Sequence, residues 1–286
     1  MSDASSDPAN FCYRHPDRQS FVLCQRCGRT ICPECQSQAA VGVHCPECVN
    51  EARQSAPKRQ PAILTAVRRG TRTDSPVVTY GIIALCAFVF LLQYITGGPS
   101  SGTVTQDFIY FPPLTQSEPW RMITTLFLHG SILHIGLNMY SLLIFGAILE
   151  RALGRWRYLS LYLLSGLGGS VGVLLIAPGI AVLGASGAIF GLLGAFFVIQ
   201  RRLGGNSVQL MIVIGLNLVA GFVIPGIAWQ AHVGGLLVGG LVAFVLVKTR
   251  QPRQQNRQIL LLTGVLVGLV LLTIVGVAWL PQRLFG

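Results

Sequence analysis

The sequence predicts an all-α polytopic membrane protein that carries a small zinc-binding domain at its amino terminus. Three observations carry that prediction. Of its 286 residues 52% are hydrophobic and only 11% charged, whereas a soluble domain has about a quarter charged residues. Apolar runs of roughly 17 to 25 residues, the length that crosses a bilayer, recur seven times. Seven of the eight cysteines crowd into the first 48 residues. The formal net charge of +11 does not point to nucleic acid, because the basic residues flank the apolar runs.

Residues 1–50 read as the metal-binding domain. CYRH, CQRC, CPEC and CPEC supply Cys12/His15, Cys24/Cys27, Cys32/Cys35 and Cys45/Cys48. These eight soft or imidazole ligands suffice for two tetrahedral zinc sites. Disulfides are not expected in a domain that the topology keeps in reducing cytoplasm. The order of the pairs resembles the B-box type of zinc finger, whose pairs interleave. That resemblance implies Cys12, His15, Cys32 and Cys35 on one ion and Cys24, Cys27, Cys45 and Cys48 on the other. Sequential pairing is the alternative, with His44 a spare candidate. So short a segment has little core, so the metal supplies most of its folding free energy. Without stacking aromatics or a basic face it reads as a docking module for a cytoplasmic protein, or else as a structural cap, with no nucleic acid expected. Residues 51–75 follow as a basic tether beside anionic headgroups.

The spans are expected at about 76–96, 124–149, 157–177, 184–200, 208–224, 229–248 and 259–280. The first six form a core over 76–248, and 249–286 adds a loop and a seventh span. Arginines and lysines precede the first span and fill the joins after the second, fourth and sixth; the loops at 97–120, 178–183 and 225–228 have none. Basic loops stay cytoplasmic, so the amino terminus is expected inside and Gly286 outside. No secretory signal peptide is expected, since the first 60 residues lack an apolar core.

Polar groups within spans are costly and read as functional by default. Away from span ends, those singled out are His129, His134, Asn138, Ser186, Asn217 and His232. His134 and Asn138, four apart, share one helix face. Gly187, Gly191 and Gly194 beside Ser186, and Gly235 and Gly239 beside His232, are small residues that let helices approach closely in lipid. At 1.5 Å per residue, Asn138, Ser186 and His232 lie roughly 20, 22 and 24 Å above the basic ends of their spans, in one layer. A serine becomes a nucleophile when a neighbouring base takes its proton, and His232 is that base. The oxyanion formed on attack at an amide needs preorganised donors, which Asn138, His134 and the Ser186 backbone N–H supply. No carboxylate lies at this depth, so the chemistry is peptide hydrolysis by a Ser–His dyad without an Asp.

GASG, AHVGG two spans later, and H-x3-N in the second span resemble the rhomboid family of intramembrane serine proteases. EPWRMITTLFLHGSILHIGLNM extends the match through Trp120, Arg121 and His129. The resemblance covers about 76–248 and implies a six-helix catalytic core cutting single-pass membrane proteins near the outer end of their spans. It implies Ser186 as nucleophile, His232 as base and acid, His134 and Asn138 as oxyanion donors, and Phe190 packed on the imidazole. It further implies an outer loop at 97–120 lying partly in the leaflet and a fifth span acting as lateral gate. The alternatives are an inactive rhomboid-like chaperone or adaptor with a zinc-finger docking module, and a transporter, against which the chain shows no inverted repeat. Cys86 reads as packing, and Asn217 as an interhelical bond or gate contact. The compact six-plus-one layout is expected in a bacterial plasma membrane.

Overall fold

A computed structural model describes residues 7–39, 41–55, 75–224 and 226–284, and the chain divides into two compact units, residues 1–59 and 60–286. In the first unit, β1 (Phe11–Cys12) pairs antiparallel with β2 (His15–Gln19), and β3 (Ser37–Gln38) with β4 (Val43–His44). Gly28 and Gly42 turn the chain at positive φ, the Gly28 N–H closing back on the Cys24 carbonyl. The buried cluster consists of Cys12, Cys24, Cys32, Cys35, Cys45 and Cys48 around one aliphatic residue, Ile31. Helix α1 (Pro46–Ser55) follows, with proline at its start where no amide hydrogen is needed. It runs five residues into the stretch expected to be tether; the remainder, 56–74, lies outside the described residues.

The second unit is helical: α2 (Val77–Ile95), short α3 (Thr103–Phe108) and α4 (Arg121–Thr124) in the first long loop, α5 (Ile132–Leu153), α6 (Arg155–Ile176), α7 (Ser186–Arg202), α8 (Val208–Val223), α9 (Trp229–Lys248) and α10 (Gln255–Leu284). Of these α2, α5, α6, α9 and the apolar part of α10 are long and apolar enough to cross a membrane. The α7 and α8 helices have 17 and 16 residues. Two starts differ from the expected spans. The second span begins at Ile132, not near 124, because Leu128 is extended and Ser131 caps the helix, its Oγ accepting from the His134 N–H at 3.1 Å. The fourth begins at Ser186, because Gly184 has φ +123°, outside the helical region.

At the centre, α6, α7 and α9 pack backbone on backbone. A Cβ on Gly235 would run into the Gly187 carbonyl, and one on Gly239 into Gly191, both far inside 3.0 Å. Gly168 and Gly172 of α6 meet Gly234 in the same way. Around this trio, α2 is anchored by Glu150 of α5. Its buried carboxylate accepts from the Val78 N–H (2.9 Å), the Thr79 N–H (2.8 Å) and the Thr79 hydroxyl (2.8 Å). It thus caps a helix start from a neighbouring helix, where negative charge is favoured. The α10 helix lies on α6, with Gly276 beside Leu174 and Leu175. Gln258 joins three helices there, donating to the Thr249 carbonyl and hydroxyl (3.0 and 2.8 Å) and accepting from Arg157 Nε at 2.8 Å.

Because Gly239 faces backbone that cannot turn aside, Gly239→Ala is expected to cost about 1–3 kcal/mol, the usual cost of overpacking. A Cβ added at Gly264 would meet nothing within 4 Å, so Gly264→Ala is the control. Thermal unfolding in detergent should show a lowered midpoint for the first and an unchanged one for the second; equal midpoints would refute the packing argument.

Candidate active site

Ser186 is the first residue of α7, and its placement begins with the non-helical chain before it. The loop residue Tyr110 and Val182 form an antiparallel bridge, Tyr110 N–H to Val182 O at 3.1 Å and Val182 N–H to Tyr110 O at 2.8 Å. The Thr125 hydroxyl donates to Val182 O at 2.6 Å, and the Gly184 N–H to Thr125 O at 2.9 Å. Irregular backbone at membrane depth is tolerated where protein satisfies it in this way. Gly184 is required twice, for its φ and because a Cβ there would lie 2.7 Å from His134 Nε2.

His232 is the fourth residue of α9, and its Nε2 lies 3.0 Å from Ser186 Oγ. Phe190, one turn beyond Ser186, stacks on the imidazole with centroids 4.1 Å apart and planes within 8°. From α5, His134 presents Nδ1 as acceptor to the Gly130 N–H at 3.3 Å, which assigns the ring proton to Nε2, the nitrogen beside Gly184. Asn138 donates one amide hydrogen to the His134 carbonyl at 2.8 Å and keeps the other. His134, Asn138, Ser186, Phe190 and His232 line one cavity of about 1130 Å³, and among the described residues no Asp or Glu lines it. The arrangement can move a proton from a hydroxyl to an imidazole beside a set of N–H donors.

The other residues singled out in the sequence take different places. Trp120 is half exposed, while buried Arg121 pairs with Glu118 and donates to the Gln106 and Ile109 carbonyls, which holds the first loop together. His129 lies outside the helix, buried, its ring edge-on to that of His134 at 5.3 Å and 68°. Asn217 lines the cavity and donates to the Val213 carbonyl of its own helix at 2.8 Å. Cys86 is packed in the core. Sequence reasoning missed Gln93, which is fully buried and bonded to the segment that carries His129; an amide in the last turn of an apolar run was the available signal.

In the amino-terminal unit the ligand atoms of Cys12, His15, Cys32 and Cys35 form one group, and those of Cys24, Cys27, Cys45 and Cys48 another, each within 4.8 Å. His15 Nδ1 is 3.8, 3.4 and 3.4 Å from the sulfurs of Cys12, Cys32 and Cys35, and the Cys27 and Cys45 sulfurs are 3.7 Å apart. Tetrahedral zinc with ordinary bond lengths sets such ligands about 3.6 to 3.8 Å apart, so both groups fit a metal ion. Arg29 Nε donates to Cys27 Sγ at 3.3 Å, and the Arg29 side chain and backbone N–H bring the Cys27 thiol down to about 6. That shift favours the thiolate, the form that binds metal.

The Rhomboid domain family matches residues 116–249. The putative rhomboid protease YdcA of Bacillus subtilis is 33% identical over 186 residues, 62% of this chain and 92% of that protein. Rhomboid protease GluP of the same organism is 35% identical over 188 residues, 61% of this chain and 36% of GluP. RHOMBOID-like protein 5 of Arabidopsis thaliana is 42% identical over 140 residues, 46% of this chain and 45% of that protein. The chain thus spans less than half the length of GluP and of the plant relative.

Proposed function

Because the chain belongs to the rhomboid family, we propose that it is an intramembrane serine endopeptidase working through Ser186 and His232. The observation that carries the reading is the 3.0 Å approach of His232 Nε2 to Ser186 Oγ inside an apolar-walled cavity. His232 takes the hydroxyl proton as Ser186 attacks the scissile carbonyl. The oxyanion is received by His134 Nε2–H, the free Asn138 N–H and the Ser186 backbone N–H at the helix start. His232 then protonates the leaving amine, and water, deprotonated by the same ring, releases the acyl group.

The substrates we propose are single-pass membrane proteins, cut near the outer end of their spans, in a bacterial plasma membrane. They enter past α8, which buries only Leu210 and Gly221 and is tied to α9 by the stack of Phe222 on Trp229 at 4.4 Å. We place the amino terminus in the cytoplasm and the carboxyl terminus outside, on the strength of the basic loops. The amino-terminal unit is a B-box-like zinc finger with interleaved ligands, its zinc ions structural and its surface a docking site for a cytoplasmic protein. On that topology it supplies no catalytic group.

Ser186→Ala and His232→Ala should each abolish cleavage of a model transmembrane substrate while the protein remains folded. Asn138→Ala should cost less, on the order of 10 to 1000-fold, because one donor of several is lost. Cleavage by Ser186→Ala at the wild-type rate would remove the mechanism.

A helical substrate shields its amides, so the scissile region must unwind to reach Ser186. Replacing Gly, Ala or Ser around the cut with Leu or Val should slow turnover; a rigid leucine-rich span cut equally fast would contradict the unwinding step.

Metal analysis of the purified protein should find two zinc ions per chain. Cys24→Ser with Cys27→Ser should remove one ion and unfold its surroundings, with detergent activity retained. Arg29→Ala lets the Cys27 thiol rise from about 6, so protons compete better and metal affinity near pH 7 should fall, recovering as pH rises. Chelator competition across pH checks this; identical affinity for wild type and variant at pH 7 would discount Arg29.

A further inference from the structure

We infer that Gln93 is a positioning residue for the oxyanion corner, fixing the segment that orients His134 to the placement of the first outer loop. The inference rests on the reading of His134 as an oxyanion donor. Gln93 stands in the last turn of α2, fully buried. Its Nε2 donates to Thr105 Oγ1 at 2.8 Å and to the Pro99 carbonyl at 3.3 Å, and Thr105 Oγ1 donates to the same carbonyl at 3.1 Å. That closes a small network with the loop. The remaining group, Oε1, accepts from the His129 backbone N–H at 3.0 Å.

His129 lies between the 3-10 turn Thr125–Phe127 and the helix cap Ser131. No helical carbonyl takes its N–H, so Gln93 supplies the bond. Both contacts that orient the His134 ring come from this same segment: the His129 ring, edge-on at 5.3 Å, and the Gly130 N–H, 3.3 Å from Nδ1. If the segment shifts, the Nε2–H of His134 swings away from its place beside Gly184. Loop, amide and donor therefore form one mechanical chain, and the loop's seating on α2 sets the aim of an oxyanion donor. His134 touches the reacting atoms; Gln93 acts only through it.

The test uses the full chain in detergent with a fluorogenic transmembrane substrate. Gln93→Leu keeps the bulk and removes all three bonds. Its kcat should fall about tenfold, less than the loss of a donor itself, with KM within about twofold. In a His134→Ala background the same substitution should lower kcat no further, since its effect runs through that ring. Thr105→Val, which leaves Gln93 Nε2 with the Pro99 carbonyl alone and keeps the bond of Oε1 to the His129 N–H, is read in both backgrounds and keeps the question decidable if Gln93→Leu does not fold; its expected effect is a smaller fall in the first background only. An equal fall in both backgrounds, a loss confined to KM, or no loss at all overturns the positioning role and leaves the dyad standing. Undiminished kcat in His134→Ala overturns the donor role and the inference with it. Cleavage that survives Ser186→Ala overturns the whole reading of the site.

Discussion

The contact of glycine on glycine between α7 and α9 is the constraint on which the rest of the membrane unit depends. In lipid there is no hydrophobic gain from bringing helices together, so association relies on close packing and polar contacts. Gly187 and Gly191 against Gly235 and Gly239 let the two backbones touch. Ser186 directly precedes the first of these glycines and His232 stands three residues before its partner. A 3.0 Å approach between a hydroxyl on one helix and a ring on another follows from that backbone distance. One methyl group at the interface moves these two atoms as surely as a change at either of them.

The second constraint concerns polarity without water. Two stretches at the site, Leu128–Ser131 and the chain before Ser186, are not helical, and each leaves backbone groups to be paired. The structure answers with partners drawn from elsewhere: Tyr110 and Thr125 for the segment around Val182 and Gly184, Gln93 for His129. Of the donors that face the cavity, the Ser186 backbone N–H is available because the chain before it is not helical. The candidate site and irregular backbone therefore occur together, and the first loop becomes part of the site's foundation through its hydrogen bonds.

Much of this was legible in the sequence, for identifiable reasons. Apolar runs locate helices in a membrane because no other open structure satisfies the backbone there, so the seven runs correspond to seven helices among the described residues, five of them long and apolar enough to cross. The shared face of His134 and Asn138 followed from their spacing of four, and both line the cavity with Ser186 and His232. The break at Leu128–Ser131 was hidden because FLHGSIL continues the apolar composition while the hydroxyl of Ser131 and the turn at Gly130 interrupt the helix. The partners of Gln93 and Glu150 were hidden for a different reason. They are backbone groups 36 and 71–72 residues away, and no local pattern encodes such a partner.

The two units reach order by opposite means. The membrane unit dispenses with side-chain bulk at its centre, so that close backbone contact does what a hydrophobic core does in water. The amino-terminal unit has water around it but almost no hydrocarbon to bury, Ile31 being the one aliphatic residue in its buried cluster. Its interior is sulfur, and six buried cysteines brought together without a ligand would leave thiols that neither pack like leucine nor bond strongly. Joined to metal, these six sulfurs with Cys27 and His15 would make eight short bonds linking β1, β2, the Leu23–Thr30 turn and α1. Arg29 fits that account, since a four-thiolate site around a divalent ion retains negative charge, and its guanidinium donates to Cys27 and Cys45 while its face lies over Tyr13 at 4.2 Å. On the proposal that both groups hold zinc, the fold of this unit is its coordination chemistry, and a substitution at any of the eight ligands acts on folding before it acts on any surface the unit presents.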